Sequence, residues 1–392
     1  MHRNNRTNIT GEYDNIYYNV TINSDNTQRY SIPKLSISRT ENILDKASDY
    51  YVTVIRFNIP SAYVPILIFV PTSDQSNIGV YNITLSYKDY DSLQPLIYDD
   101  RGNGSANPST VGYYYMYDFQ QMADMINSAL AIALNDIKVH FQDDDDPNLE
   151  ACPPPFIVFD PISKLFAFYI SNLMFNVTND PHISMYINDP LATLIGSFPF
   201  LRIYNGQILN PVNSKDVQIL CKNHGNNIVS NPNGDTEDTT DYLYLSQEYI
   251  TIYNWNPFKK IVITTTSLPI LGENIDSTGN NLRTILTDFV PSVSATEFRT
   301  VYQYFPTSQY RLIDLTNDGP LKAFDINVWW EDINGDLRLI YLPWNSQIEV
   351  KIAFVKKDLY KTNDKTDVAD SIINQQRYGN QKLYKQQIEW KT

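Results

Sequence analysis

Four histidines (His2, His140, His182, His224) and two cysteines (Cys152, Cys221) are all the soft metal ligands in this 392-residue chain. Cys221 and His224 stand in a C-x-x-H spacing, but a closed zinc site needs a second pair, and only the isolated Cys152 and His140 are left. A loop thiol and a solvated imidazole account for them. Asp143 to Asp146 offer oxygen to a hard cation, yet four consecutive aspartates before Pro147 define no cage, and a solvated acidic loop is expected. Asp332, Asn334 and Asp336 around Gly335 imitate the opening of a calcium loop, but the alternating residues from Leu337 onward read them as a hairpin turn. Gly102-Asn103-Gly104 lacks the third glycine of a dinucleotide fingerprint. There is no nucleophile elbow, Walker loop or H-E-x-x-H pattern. Loop carboxylates are abundant, but nothing in their spacing selects a pair for glycoside hydrolysis. Tyr113, Tyr114, Tyr115 and Tyr117, with Trp329 and Trp330, have faces that could stack sugars or bases, although strand and core aromatics are the simpler reading. The residues thus imply no enzyme, no cofactor and no metal site.

Composition narrows the classes further. The chain holds 30 Lys plus Arg against 44 Asp plus Glu, a net charge of -14, the wrong balance for a general nucleic-acid binder. With 14 Gly and 29 Tyr it belongs to no Gly-rich disordered class. Two cysteines suit assembly in a reducing compartment. Met1 to Thr10 is polar, without the apolar centre of a signal peptide. The longest apolar run, Val64 to Val70, is far short of the roughly 20 residues of a membrane span. The sequons at Asn19, Asn82 and Asn176 are accordingly expected to be unoccupied.

The elements are mostly strands. From Tyr51 to Pro60, Tyr51, Thr53, Ile55, Phe57 and Ile59 alternate with Val52, Val54, Arg56 and Asn58. Similar runs recur at 17–22, 80–87, 156–159, 164–170, 242–245, 250–253 and 261–266, the pattern of a sandwich or barrel. Phe324, Ile326, Val328 and Trp330 alternate with polar partners before Asn334-Gly335, which suits a type I′ turn into Leu337, Leu339 and Tyr341. A third strand follows at 348–355. Trp329, Ala353 and Val355 on the supposed outer face of these C-terminal strands predict that a second layer or another subunit covers part of it.

One segment breaks the pattern. Phe119, Met122, Ala123, Ile126, Leu130, Ala133 and Leu134 recur at helical steps behind Asp118, with Gln121 placed for a capping box. A shorter helix is predicted over Pro190 to Ile195, capped by Asp189. Polar stretches at 99–110, 142–155 and 222–240 read as surface excursions. Residues 356–392 carry a net charge of +3 on a body of -17, which suits a docking arm or a solvated end.

The run Tyr304-Phe305-Pro306-Thr307-Ser308-Gln309-Tyr310-Arg311-Leu312-Ile313-Asp314-Leu315, with Phe324-Asp325-Ile326-Asn327-Val328-Trp329-Trp330 and Lys351-Ile352-Ala353-Phe354-Val355-Lys356-Lys357, resembles the penton (minor capsid) proteins of virophages. These are small viruses that parasitise giant-virus infections. Met122 to Leu130 and Met185 to Leu191 are also similar to members of that group. The resemblance spans most of residues 40–357. It implies an all-β protein, a single jelly roll (β-sandwich) with an inserted β-rich domain carrying one amphipathic helix. It further implies a homopentamer at the vertices of an icosahedral particle.

The expected organisation is an N-terminal arm and first strand (1–40), jelly-roll parts at 41–90 and 246–356, an insertion at 91–245, and a tail at 357–392. The expected function is a structural vertex protein that contacts the major capsid protein. It would sit in the virion after assembly in the host cytoplasm, with nucleic-acid contact only through the termini. Arg3, Arg6, Trp329, Lys356, Lys357, Lys382, Lys385 and Trp390 are the candidate interface residues. The alternatives are a trimeric virion spike that binds a receptor or glycan through its Tyr-rich segment, and a β-sandwich glycosidase.

Overall fold

The computed structural model describes residues 15–24, 30–70, 79–99, 113–144, 146–202, 215–230, 232, 240–255, 257–274, 282–290, 301–304, 306, 311–343 and 345–357. The chain divides into two compact units, Met1–Val64 with Phe258–Thr392, and Pro65–Pro257.

The first unit is built on eight strands: β1 (Ile16–Asn23), β2 (Lys34–Ser38), β3 (Tyr50–Pro60), β4 (Phe258–Thr264), β5 (Ile285–Phe289), β6 (Val301–Tyr304), β7 (Ala323–Asp332) and β8 (Gln347–Lys356). One sheet runs β1-β8-β3-β6, and the other β2-β7-β4-β5, with every ladder antiparallel. The pairs β1 with β8, β2 with β7, β3 with β6 and β4 with β5 are nested, as they are when one long hairpin is rolled up. The β3–β8 and β4–β7 ladders then close the two sheets. This is the jelly roll, and rolling leaves few free edges.

Aromatic rings fill the space between its sheets. Phe57 of β3 meets Phe289 of β5 at 5.5 Å, Tyr18 of β1 meets Phe324 of β7 at 5.3 Å, and Phe258 of β4 stacks on Tyr302 of β6 at 5.6 Å. Trp330, Ile352 and Phe354 are fully buried among them.

Strict alternation along β3 fails for a local reason. The β3–β8 ladder shifts register where Lys351 faces Arg56 and Ile352 faces Val54, a bulge that leaves Ile55 as the extra residue. Val52 and Val54 therefore face the core before the bulge, and Phe57 and Ile59 after it, so no single parity describes the buried side.

The β7 hairpin also corrects its expected turn. It returns as Leu337–Leu339 on Trp329 to Glu331, but only Gly335 has a positive φ, at 91°. Gly335 N–H donates to the Asp332 carbonyl at 3.0 Å, and Asp332 N–H to the Asp336 carbonyl at 3.0 Å. The loop is a three-residue type I turn with a left-handed glycine, and not a two-residue type I′ turn. The Asp332 carboxylate locks it by accepting from the Asn334 and Asp336 amides and from Arg338 Nε.

The second unit holds a four-stranded sheet (Ile228–Ser230, Asp241–Ser246, Leu165–Ser171, Phe156–Asp160) and a five-stranded one (Phe200–Arg202, Val217–Ile219, Ile183–Ile187, Asn82–Tyr87, Tyr90–Pro95). Helix α1 (Phe119–His140) packs on strands of both. It is stitched to each by polar contacts. Asn127 exchanges two hydrogen bonds with the Ile157 backbone, at 2.6 and 3.0 Å, while Asp136 accepts from Ser92 and Gln94. All seven residues of the helical pattern are buried, and so are Met125, Ala129 and Ile137, because sheets cover more than one side of α1.

Asp118 caps α1 by accepting from Gln120 N–H, but Gln121 makes no capping box. It is buried, and its amide donates to the Asp99 carbonyl at 2.6 Å. The short helix Asp189–Ile195 is capped by Asn188, one residue earlier than expected, because Asn188 Oδ1 also accepts from Asn82 N–H across the sheet. Residues 250–253 are no strand, since Ile252–Trp255 form a 3₁₀ turn whose Trp255 indole donates to the Leu194 carbonyl.

The inserted unit is wider than the expected 91–245. Asn82–Tyr87 pairs with Ile183–Ile187 and Tyr90–Pro95, so its β content starts well before residue 91. Composition does not shift at that boundary; strand partnership decides it.

Candidate interaction surface

Most polar and metal-like motifs are spent on structure. Cys152 and Cys221 are buried free thiols whose pKa values burial pushes up to about 11 and about 12, so neither is primed as a thiolate. Asp146 caps the helix Pro147–Ala151 and accepts from Tyr87, and Asp144 pairs with Lys88 at 2.7 Å. Among the described residues no three His, Cys, Asp or Glu side chains gather as a metal site, and no helix is long and apolar enough to cross a membrane.

The aromatic platform is not assembled either. Tyr115 is buried, Tyr114 stacks on Tyr98 at 4.0 Å, and Trp330 is buried with its indole donating to the Leu339 carbonyl. A different row lies on the four-stranded sheet, where half-buried Phe156, Tyr169 and Tyr244 stand side by side on three neighbouring strands.

Of the candidate interface residues, Arg3, Arg6, Lys382, Lys385 and Trp390 lie outside the described residues. Lys356 ends β8. Lys357 is engaged within the chain, bonding Asp314 at 2.7 Å with its ammonium 5.2 Å from the Tyr51 ring centre. Ala353 and Val355 are buried in a small apolar cluster with Ile55, against which Tyr51 packs.

Trp329 marks a real surface feature. β7 alternates, so Phe324, Ile326, Val328 and Trp330 face the core, while Asp325, Asn327, Trp329 and Glu331 project from the other side of the sheet. Polar contacts fix this outer face. Lys259 and Lys260 reach the buried Glu331 at 2.7 and 3.2 Å, and Lys260 also pairs with Asp288. The Asp325 carboxylate accepts from Thr265 Oγ1, from the amides and hydroxyls of Thr266 and Ser267, and from Asn327, at 2.6 to 3.0 Å. Burial alone would raise its pKa, but the bonds from Ser267, Thr266 and Asn327 outweigh burial and hold it well below the usual carboxylate range.

These bonds bend the chain sharply after β4 and start a two-stranded projection, Glu273–Asn274 with Leu282–Arg283. Between this projection and the sheet opens a groove of about 790 Å³, lined by Ile32, Lys34, Trp329, Leu339, Leu282 and Arg283. The half-buried Trp329 ring is held by its indole N–H on Thr264 Oγ1 at 2.9 Å. Lys34 and Arg283 have no carboxylate partner among the described residues. Neither they nor Leu282 could be found from sequence periodicity, because residues 34, 283 and 329 meet only through the rolled topology.

A family model, Sputnik minor capsid protein V18/19, matches residues 16–356. Structural protein V19 of Sputnik virophage is 32% identical over 186 residues, covering 46% of this chain and 84% of that protein. Protein V18 of the same virus is 29% identical over 144 residues, covering 32% of this chain and 86% of that protein. A chain in the 3.5 Å cryo-EM structure of the Sputnik virophage superposes with a TM-score of 0.65 at 25% identity, over 89% of this chain and 99% of that one. The mavirus penton protein shares the fold, with a TM-score of 0.55 at 18% identity, over 87% of this chain and 99% of its own. The chain belongs to the Sputnik minor capsid protein V18/19 family, and it is a structural minor capsid protein, not an enzyme.

Proposed function

We propose that this chain forms the pentameric vertex of an icosahedral virion and contacts the major capsid proteins around it, having assembled in the host cytoplasm. The observation that carries the reading is the nested eight-strand jelly roll, which lies almost wholly within the family match at 16–356. Such a fold works by shape and burial. A ring of identical copies closes when each copy offers two different patches related by the ring rotation. Light scattering on the purified protein, at several concentrations, is expected to give five times the chain mass of 45.2 kDa. A threefold mass would favour the trimeric spike instead, for which the row of Phe156, Tyr169 and Tyr244 provides a stacking face.

The basic ends, with Arg3 and Arg6 at one and Lys382, Lys385 and Trp390 at the other, are read as arms that grip neighbouring capsomers, and any nucleic-acid contact would run through them. Removing residues 358–392 is expected to lower vertex occupancy in assembled particles severalfold while leaving the jelly roll folded. Full occupancy, counted by cryo-EM, would remove the tail from this role.

A further inference from the structure

We propose that the groove lined by Trp329, Leu282 and Leu339 receives a neighbouring copy of this chain, forming one side of the head-to-tail contact within the ring. This inference rests on the vertex reading and assigns to it a particular surface.

The groove is pre-shaped. Trp329 is tethered to Thr264, and the turn that launches the projection is held by the six hydrogen bonds to Asp325. Ordering these groups is therefore complete before a partner arrives, which lowers the cost of association. Its lining includes exposed apolar side chains, with Leu282 exposed at 68% and Ile32 at 48%. A half-buried Trp beside Ile32, Leu282 and Leu339, with threonines and Asn327 completing the lining, offers the aromatic anchor on which binding hot spots are built.

Charge selects the occupant. Lys34 and Arg283 flank the apolar floor without carboxylate partners among the described residues, in a chain whose net charge is -14. A second copy is an acid-rich partner for these two cations, which form no direct ion pair among the described residues, and complementary charge both steers encounter and fixes register.

Charge also selects the symmetry. A two-fold contact through this groove would bring the Lys34 and Arg283 surfaces of both copies together, like against like. A rotational ring instead sets the groove against a different patch of the next copy. The groove thus suits a cyclic assembly better than a symmetric dimer.

The test places the photo-reactive residue p-benzoylphenylalanine at position 282 of the full chain, in an equal mixture of isotopically light and heavy protein. After irradiation of the assembled ring, mass spectrometry is expected to find light–heavy cross-links from position 282 to a carboxylate-bearing segment of another copy. Cross-links confined to one chain, or none, in an assembly of the wild-type mass would overturn the inference.

In parallel, the double variant K34E/R283E is expected to weaken assembly at least tenfold at unchanged circular dichroism and melting temperature. A folded double variant that assembles as well as wild type would overturn it too. A wild-type chain that stays monomeric at all concentrations defeats the vertex reading and takes this inference with it, whereas a ring that ignores both changes defeats this inference alone.

Discussion

Replacing Asp325 with alanine is expected to destabilise the jelly-roll unit by about 3 kcal/mol or more, because several buried or half-buried donors lose their shared acceptor at once. Three hydroxyls, two amides and the Asn327 side chain converge on that carboxylate. Asp325→Asn retains one carbonyl oxygen and should recover part of the loss. The same site makes a pH prediction. Its folded pKa is depressed, so its contribution is fully present above the unfolded value of about 3.9 and is lost as pH falls through the folded value. Wild-type stability should therefore fall more steeply than that of Asp325→Asn between about pH 5 and pH 2. Urea midpoints measured across that range check it, and parallel curves for the two proteins would show that the carboxylate's charge contributes nothing. Because the turn at Thr265–Ser267 starts the projection over the groove, Asp325→Ala should also impair assembly, whereas K34E/R283E leaves stability intact.

The second large effect is expected at Trp330. Its side chain is fully buried between the sheets of the jelly roll, with its indole on the Leu339 carbonyl. Trp330→Ala opens a cavity in a packed aromatic interior, which costs about 3–5 kcal/mol, a large share of the roughly 5–15 kcal/mol that keeps a domain folded. The neighbouring Trp329→Ala removes a half-buried ring from the outer face and should cost about 1 kcal/mol in the isolated chain, while weakening assembly more than stability. Adjacent tryptophans are thus expected to separate folding from association. Chemical denaturation followed by circular dichroism, beside light scattering on the same two variants, makes the comparison; equal stability losses would contradict the opposite-facing placement of the two rings.

Much of the architecture was legible along the chain because period-two burial is a local property. β1, β7, β8 and α1 could be read from residue order, and Trp329 could be singled out because an aromatic stood on the polar side of an alternating strand. The absence of catalytic motifs was equally readable, since those motifs have fixed spacings. The resemblance carried by residues 304–315, 324–330 and 351–357 pointed to the right family, whose model spans 16–356.

What the sequence alone determined is the list of the main elements: strands with one apolar face, a long amphipathic helix and a short one near residue 190. Only the tertiary structure decided which strands are partners. The bulge at Ile55 reverses the parity of β3, Asn188 displaces Asp189 as a cap because Asn82 needs an acceptor, and pairing with Ile183–Ile187 draws the strand at 82–87 into the inserted unit. Each of these outcomes depends on contacts between residues far apart in the chain. The groove has the same origin, because a rolled hairpin brings Lys34, Arg283 and Trp329 together from three separate strands, and no local pattern encodes that meeting.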